Sequence, residues 1–268
     1  MNSFNLSHKS SITNEFRVDY PEGDVDRVEA NKKQLNYIVS RSDSKYIMFN
    51  IDEAEKLLSL GIDASDFSYK KVITTSTIND DLLPLYHLEI ETELIRAFRP
   101  DFHIPCDKPV YQTQNKNERL WNIKQIVEDT IEMNKKLSDT DINLIPLIKG
   151  IDDDEISFCC YGYKSFGFEA FSYYCAQYFG NGRGNLTNQL ISDVRHIVRT
   201  FDLQYLMVIG IGSRKIIQQL PRTVVKSYAH ARKIRENCWK SDLSMSTQKR
   251  IIDFGTDRLH SREVLELS

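Results

Sequence analysis

The sequence predicts an α/β protein folded as a single (β/α)8 barrel of the TIM type. Three observations lead there. Short runs rich in Val, Ile and aromatic residues alternate with longer amphipathic stretches between about residues 35 and 240, the rhythm of repeated βα units. Close to eight such units can be marked off, and 268 residues suit a barrel of roughly 250 residues folded as one domain. Hydrophobic residues make up 41% of the chain, enough to bury a sizeable core.

The elements are read in order. Residues 1–34 are polar, carry a turn at Tyr20-Pro21-Glu22-Gly23-Asp24, and read as an N-terminal arm outside the barrel. The barrel itself is placed over residues 35–240. Leu35–Val39 and Tyr46–Asn50 read as strands, and Asp52–Leu60 as a helix ended by Gly61. Lys71–Ser76 is a Val/Ile/Thr strand. Leu82–Phe98 reads as a helix with the stripe Leu85, Leu88, Leu94, Ile95 and Phe98. Asp101–Cys106 is the next strand and Asn117–Leu137 an amphipathic helix. Asn143–Ile148 follows as a strand, then Asp152–Phe166 as a helix whose acidic first turn suits the helix dipole. Phe168–Tyr173 and Leu203–Ile209 read as strands flanking the helix Leu186–Phe201. Ser213–Leu220 reads as a short helix, Thr223–Lys226 as the last strand, and Tyr228–Trp239 as a basic helix. Residues 241–268 form a polar C-terminal tail.

The net charge of −3 says little about partners, but its distribution is uneven. Between Arg214 and Lys240 the chain holds eight Lys/Arg (Arg214, Lys215, Arg222, Lys226, Arg232, Lys233, Arg235 and Lys240) against the single acid Glu236. Such a segment is either a solvated basic face or a contact for an anionic partner. The five cysteines are odd in number, lie mostly in apolar stretches and show no disulfide or zinc spacing. They read as the reduced cysteines of a cytoplasmic protein. No apolar run is long enough to span a membrane, and the opening residues do not read as a signal peptide. No metal and no cofactor is expected, and the six histidines are scattered.

The strand ends carry the candidate chemistry, because in a barrel they converge on one mouth. The strand before Pro109 ends in Asp107, which could accept hydrogen bonds from a base, act as a general base or cap the next helix. His103, alternating with apolar residues, reads as a wall or core histidine. Lys149-Gly150 ends another strand. Gly210-Ile211-Gly212-Ser213 follows the most hydrophobic strand and reads either as an anion- or base-binding turn or as a tight βα turn with Ser213 as N-cap. Phe179 to Asn185, with Gly180 and Gly182, reads as a ligand-covering loop or a plain connector.

The order of these pieces resembles the tRNA-guanine transglycosylase superfamily, including its archaeal and DNA-modifying relatives. The residues that carry the resemblance are Asp101–Asp107, Leu144–Gly150, Phe179–Gly184, Tyr205–Ser213 and the Ala229–Arg232 region, within about residues 98–240. The resemblance implies a (β/α)8 barrel that exchanges guanine for a 7-deazaguanine in tRNA or DNA, a pentosyl transfer. It implies Asp107 as the catalytic, base-binding carboxylate. Lys149, Gly150, Gly180, Gly182, Gly210, Gly212 and Ser213 would line the base pocket, and the basic segment Arg214, Lys215, Arg222, Lys226, Arg232, Lys233 and Arg235 would hold the nucleic acid. Two features depart from the family. Thr223–Tyr228 holds no carboxylate where the family has its nucleophile, and the zinc-binding cysteine cluster is missing. The alternatives are a catalytically inactive nucleic-acid-binding or partner subunit on the same barrel, and a barrel enzyme acting on a small phosphorylated substrate.

Overall fold

The computed structural model describes residues 18–40, 42–179, 186–231 and 234. Nine parallel strands form one sheet, β1 (Gly23–Val28), β2 (Tyr46–Asn50), β3 (Lys71–Thr75), β4 (Phe102–Ile104), β5 (Asn143–Leu144), β6 (Leu147–Ile148), β7 (Ala170–Tyr174), β8 (Tyr205–Ile209) and β9 (Val225–His230). Their order across the sheet is β5-β4-β3-β2-β1-β9-β8-β7-β6. Helices α1 (Lys32–Ser40), α2 (Ile51–Ser59), α3 (Leu88–Phe98), α4 (Lys116–Lys136), α5 (Asp153–Lys164), α6 (Thr187–Phe201) and the short α7 (Arg214–Ile217) connect them.

The sheet is curled, and alternation along each strand sends one set of side chains inside it and the other toward the helices. On β8, Tyr205, Met207 and Ile209 join an interior cluster, while Leu206 and Val208 face the helices. The interior cluster gathers Val25, Met48, Ile73, Phe102, Leu147, Ala170, Met207 and Ala229, from strands spread over almost the whole sheet. A flat sheet could not bring them together. Two outer clusters, one under α4, α5 and α6 and one under α1, α2 and α3, cover the other face, as parallel sheets require. At the N-terminal end of the strands Tyr20 closes the interior, its ring centroid 5.1 Å from that of Tyr205 and 6.1 Å from that of Phe102.

The end strands β5 and β6 are consecutive in the chain, separated only by Ile145-Pro146. Pro146 has no N–H to give to a ladder, and the pairing breaks there. Even so, Ile145 N donates to His103 O (2.8 Å) on one side and Ser172 N donates to Pro146 O (2.8 Å) on the other.

Four expectations are corrected. Gly23–Val28 is not part of an outlying arm; it is the strand between β2 and β9. Asp24 and Asp26 disguise it, yet Asp26 is fully buried and accepts from Ser42 Oγ at 2.8 Å. Leu35–Val39 is helix, not strand. Asn31 Oδ1 accepts from Gln34 N at 3.0 Å to start α1, and Gln34, Tyr37 and Ile38 are buried at helical spacing. Tyr228–His230 belongs to β9 rather than to a basic helix, and most of the rest of that segment lies outside the described residues. The first part of the expected helix Leu82–Phe98 is a separate 3-10 turn at Leu83–Leu85, with Pro84 at its start.

Candidate functional site

Two polar arrays stand at the C-terminal ends of the strands. The first joins β1, β2 and the residues after β3. The Arg27 guanidinium donates to Asn50 Oδ1 from Nε (2.9 Å) and Nη2 (2.7 Å), and Nη2 also donates to Thr77 O (2.6 Å). A planar, always-charged donor fork suits this bridging of three strand ends. Arg27 was not among the expected site residues, because β1 was not recognised; Asn50 was legible as a strand tip.

The second array joins the ends of β4, β6 and β7. Asp107 Oδ1 lies 2.6 Å from the Lys149 ammonium, with both side chains nearly buried. That ammonium is 5.9 Å from the centre of the Tyr174 ring. The carboxylate is aimed by its neighbours. Cys106 takes a left-handed backbone conformation (φ 60°), which a non-glycine residue adopts at a cost. Its N–H donates to Glu91 Oε1 at 3.0 Å, and Asp107 N donates to Ser76 Oγ at 3.0 Å. The same Glu91 oxygen bonds His103 Nε2 at 2.8 Å, and Thr74 Oγ1 lies 2.9 Å from Nδ1. Glu91 and His103 are both almost completely buried on the helix side of the sheet. His103 is therefore a wall histidine, as expected, and Glu91 is the partner that no local pattern indicated.

Burial pushes the Asp107 carboxyl above its ordinary range; the Lys149 ammonium pulls it back, and the Asp80 carboxylate adds a smaller upward push. Asp80 accepts from the Tyr111 hydroxyl at 2.9 Å. Burial and then Asp80 push the Tyr111 hydroxyl well above its usual value. The mouth thus holds two mutually repelling carboxylates, one lysine and two tyrosines, groups able to bind and exchange protons with a heterocycle. The four described cysteines are free and buried. Burial raises the Cys159 thiol to about 12, which leaves it a poor nucleophile. Among the described residues no group of three or more His, Cys, Asp or Glu could hold a metal ion.

The described glycines among the expected pocket residues, with Ser213, divide between two cavities, and Lys149 lines neither. Gly210, Gly212 and Ser213 line one of about 390 Å³ with Arg27, Ile211 and His230. Gly150 lines another of about 550 Å³ with Tyr111, Gln177, Tyr178, Gln189 and Asp193. Gly180 and Gly182 lie outside the described residues. The glycines at 150 and 210 have structural reasons of their own. At Gly210 (φ 91°) an added Cβ would stand 2.8 Å from Ala176 Cβ and 3.0 Å from its nitrogen, and at Gly150 (φ 155°) 2.5 Å from Ile156 N. Gly210→Ala is expected to cost about 2–3 kcal/mol through left-handed strain and overpacking, read as a lowered urea midpoint with an unchanged m-value.

The expected basic rim is corrected. Arg214 and Lys215 directly follow the Gly210–Ser213 turn at the mouth. Arg222 and Lys226 stand near the start of β9, at the opposite end of the sheet, where Lys226 shares a cavity with Glu22 and Glu169. The chain descends from mouth to base between residues 214 and 225, so one charged run in sequence becomes two separate places. Arg232, Lys233 and Arg235 lie outside the described residues. Among those described, no helix is long and apolar enough to cross a membrane.

No protein-family model matches the chain, and no curated protein matches it.

Proposed function

We propose that this chain is a closed (β/α)8 barrel that exchanges or transfers a base at an N-glycosidic bond of a nucleic acid, tRNA or DNA. In this reading Asn143–Ile148 is one barrel stave interrupted at Pro146, and its hydrogen bonds to both His103 and Ser172 support a ring of eight staves. The observation that carries the function is the pair of carboxylates at the mouth, Asp107 held against Lys149 and Asp80 close enough to oppose its ionisation. A base exchange needs two such groups. One displaces the base from C1′, so that a C1′–O bond forms as the C1′–N bond breaks, and Asp80 is available for this. The other binds the N–H edge of the heterocycle and handles the proton the departing base takes up and the incoming base gives back; Asp107, with its raised affinity for protons, suits that task. Tyr111 and Tyr174 offer faces for stacking. The resemblance of Asp101–Asp107, Leu144–Gly150 and Tyr205–Ser213 to the transglycosylase superfamily supports a purine or 7-deazapurine as the base, in a cytoplasmic setting.

The test is a titration of labelled tRNA and duplex DNA at two salt concentrations, joined to an assay for incorporation of labelled guanine. Wild type is expected to bind one of the two with a steep salt dependence and to incorporate label. Asp107→Asn should lose incorporation by at least about 100-fold, because an amide presents one donor to the base edge in place of an acceptor. Binding without incorporation would select the inactive nucleic-acid-binding or partner subunit. Binding of neither nucleic acid would turn attention to a small phosphorylated substrate in the cavity of Arg27, His230 and Gly210–Ser213.

A further inference from the structure

We propose that the cavity of about 550 Å³ beside the mouth is a subsite for a cationic N–H group, an ammonium or amidinium substituent, held by Asp193. The lining mixes apolar residues such as Val110, Ile151 and Leu186 with the polar groups of Tyr111, Gln112, Gln177, Tyr178, Gln189 and Asp193, and holds no Lys or Arg among the described residues. Asp193, on α6, is only 5% exposed. Its partners are neutral. Oδ2 accepts from the Tyr178 hydroxyl, which in turn bonds the Tyr173 hydroxyl, and Oδ1 accepts from Gln189 Nε2 at 2.6 Å.

A carboxylate oxygen accepts more than one hydrogen bond, so each has capacity left toward the cavity. A buried carboxylate is ordinarily paired with a cation, as Asp107 is with Lys149 and Glu155 with Arg119 (2.8 Å). Among the described residues Asp193 has no such partner, and burial holds its carboxyl above the ordinary range. Among the described residues the Asp153 carboxylate also opposes its ionisation, and His196 acts more weakly in the opposite sense. A ligand cation entering from the cavity would supply the missing charge and charge-assisted hydrogen bonds. Gln112 and Gln177 add amides beside it, and Tyr111 adds an aromatic face on the side toward Asp80. The carboxylate disfavours anions, and it is neither of the two that the base-exchange reading uses, Asp107 and Asp80, although Tyr111 borders both sites.

Three fragments of one shape test it: benzamidinium, neutral benzamide and anionic benzoate, each titrated into the full-length protein and followed by NMR shift changes and calorimetry. Wild type is expected to bind benzamidinium at least about tenfold more tightly than benzamide, and benzoate not at all. Asp193→Asn should erase the preference. Because that change touches the buried tyrosine network, Gln177→Lys provides a second reading; it leaves the network intact, places an ammonium in the cavity and should also erase the preference. Asp80→Asn should leave it unchanged. Equal binding of the three fragments would overturn the proposal. So would a preference for benzamidinium that survives both cavity variants, or one that disappears in Asp80→Asn alone.

Discussion

Replacing Lys149 with methionine is expected to destabilise the protein by about 3–5 kcal/mol at neutral pH, because it leaves the nearly buried Asp107 carboxylate without its cation. The sign with pH follows from the direction of the shift. In the wild type the Asp107 carboxyl already lies above its ordinary 3.8, burial outweighing the ammonium. In the variant the burial acts with less opposition and the carboxyl rises further. A carboxyl raised in the folded state contributes stability that is fully present below the unfolded value and is lost as pH rises through the folded value. The deficit of Lys149→Met should therefore be small near pH 4 and largest at neutral pH. Urea unfolding of wild type and variant at both pH values measures it. A deficit that stays constant between them would mean that Asp107 is not the group left uncompensated. The same measurement bears on mechanism, since a carboxyl that takes up a proton this readily is suited to trade one with a bound base.

Glu91→Ala is expected to cost about 3–5 kcal/mol, the second large effect. One Glu91 oxygen holds both His103 Nε2 (2.8 Å) and Cys106 N (3.0 Å) in a fully buried setting. Truncation strands two donors in a place water does not reach, each worth about 1–3 kcal/mol, and adds a small cavity. It also frees Cys106 from its left-handed conformation, so the Asp107 carboxyl should lose its aim at Lys149. Glu91→Gln keeps an acceptor oxygen and is expected to recover more than half of the loss. Carbon-13 NMR titration of the Asp107 carboxyl separates aiming from mere support. Its midpoint should move in Glu91→Ala and return in Glu91→Gln. A midpoint unmoved in a folded Glu91→Ala would show that the loop holds Asp107 without Glu91.

Much of the architecture was legible along the chain. Runs such as Tyr46–Asn50, Lys71–Thr75 and Tyr205–Ile209 are β-forming in every residue position that matters, and parallel strands buried on both faces leave that continuous apolar signature. Asp107 and Lys149 were legible for the same reason, since each directly follows such a run and parallel strand ends share one edge of the sheet. Gly23–Val28 and α1 were not. A strand written with Asp24, Asp26 and Arg27 has no apolar signature, because its charges are answered by Ser42, Asn50 and Thr77, residues from 16 to 50 positions away. Leu35–Val39 has the β-branched and aromatic composition of a strand, and only the Asn31 cap and the packed face of Gln34, Tyr37 and Ile38 decide for helix.

The site divides along the same line. Local sequence places a reactive group at the end of a strand. Which groups meet there depends on contacts between elements far apart in the chain. Asp80 and Tyr111 are 31 residues apart, Glu91 and Cys106 are 15 apart on opposite ends of a helix–strand unit, and Arg27 and Thr77 are 50 apart. The run of basic residues from Arg214 onward shows the converse, for neighbours in sequence were carried by a descending segment to opposite ends of the sheet. Residue chemistry and periodicity are local properties and can be read from the chain. Charge pairing, burial and the convergence of side chains on a cavity are properties of the packed sheet, and only the tertiary structure decides them.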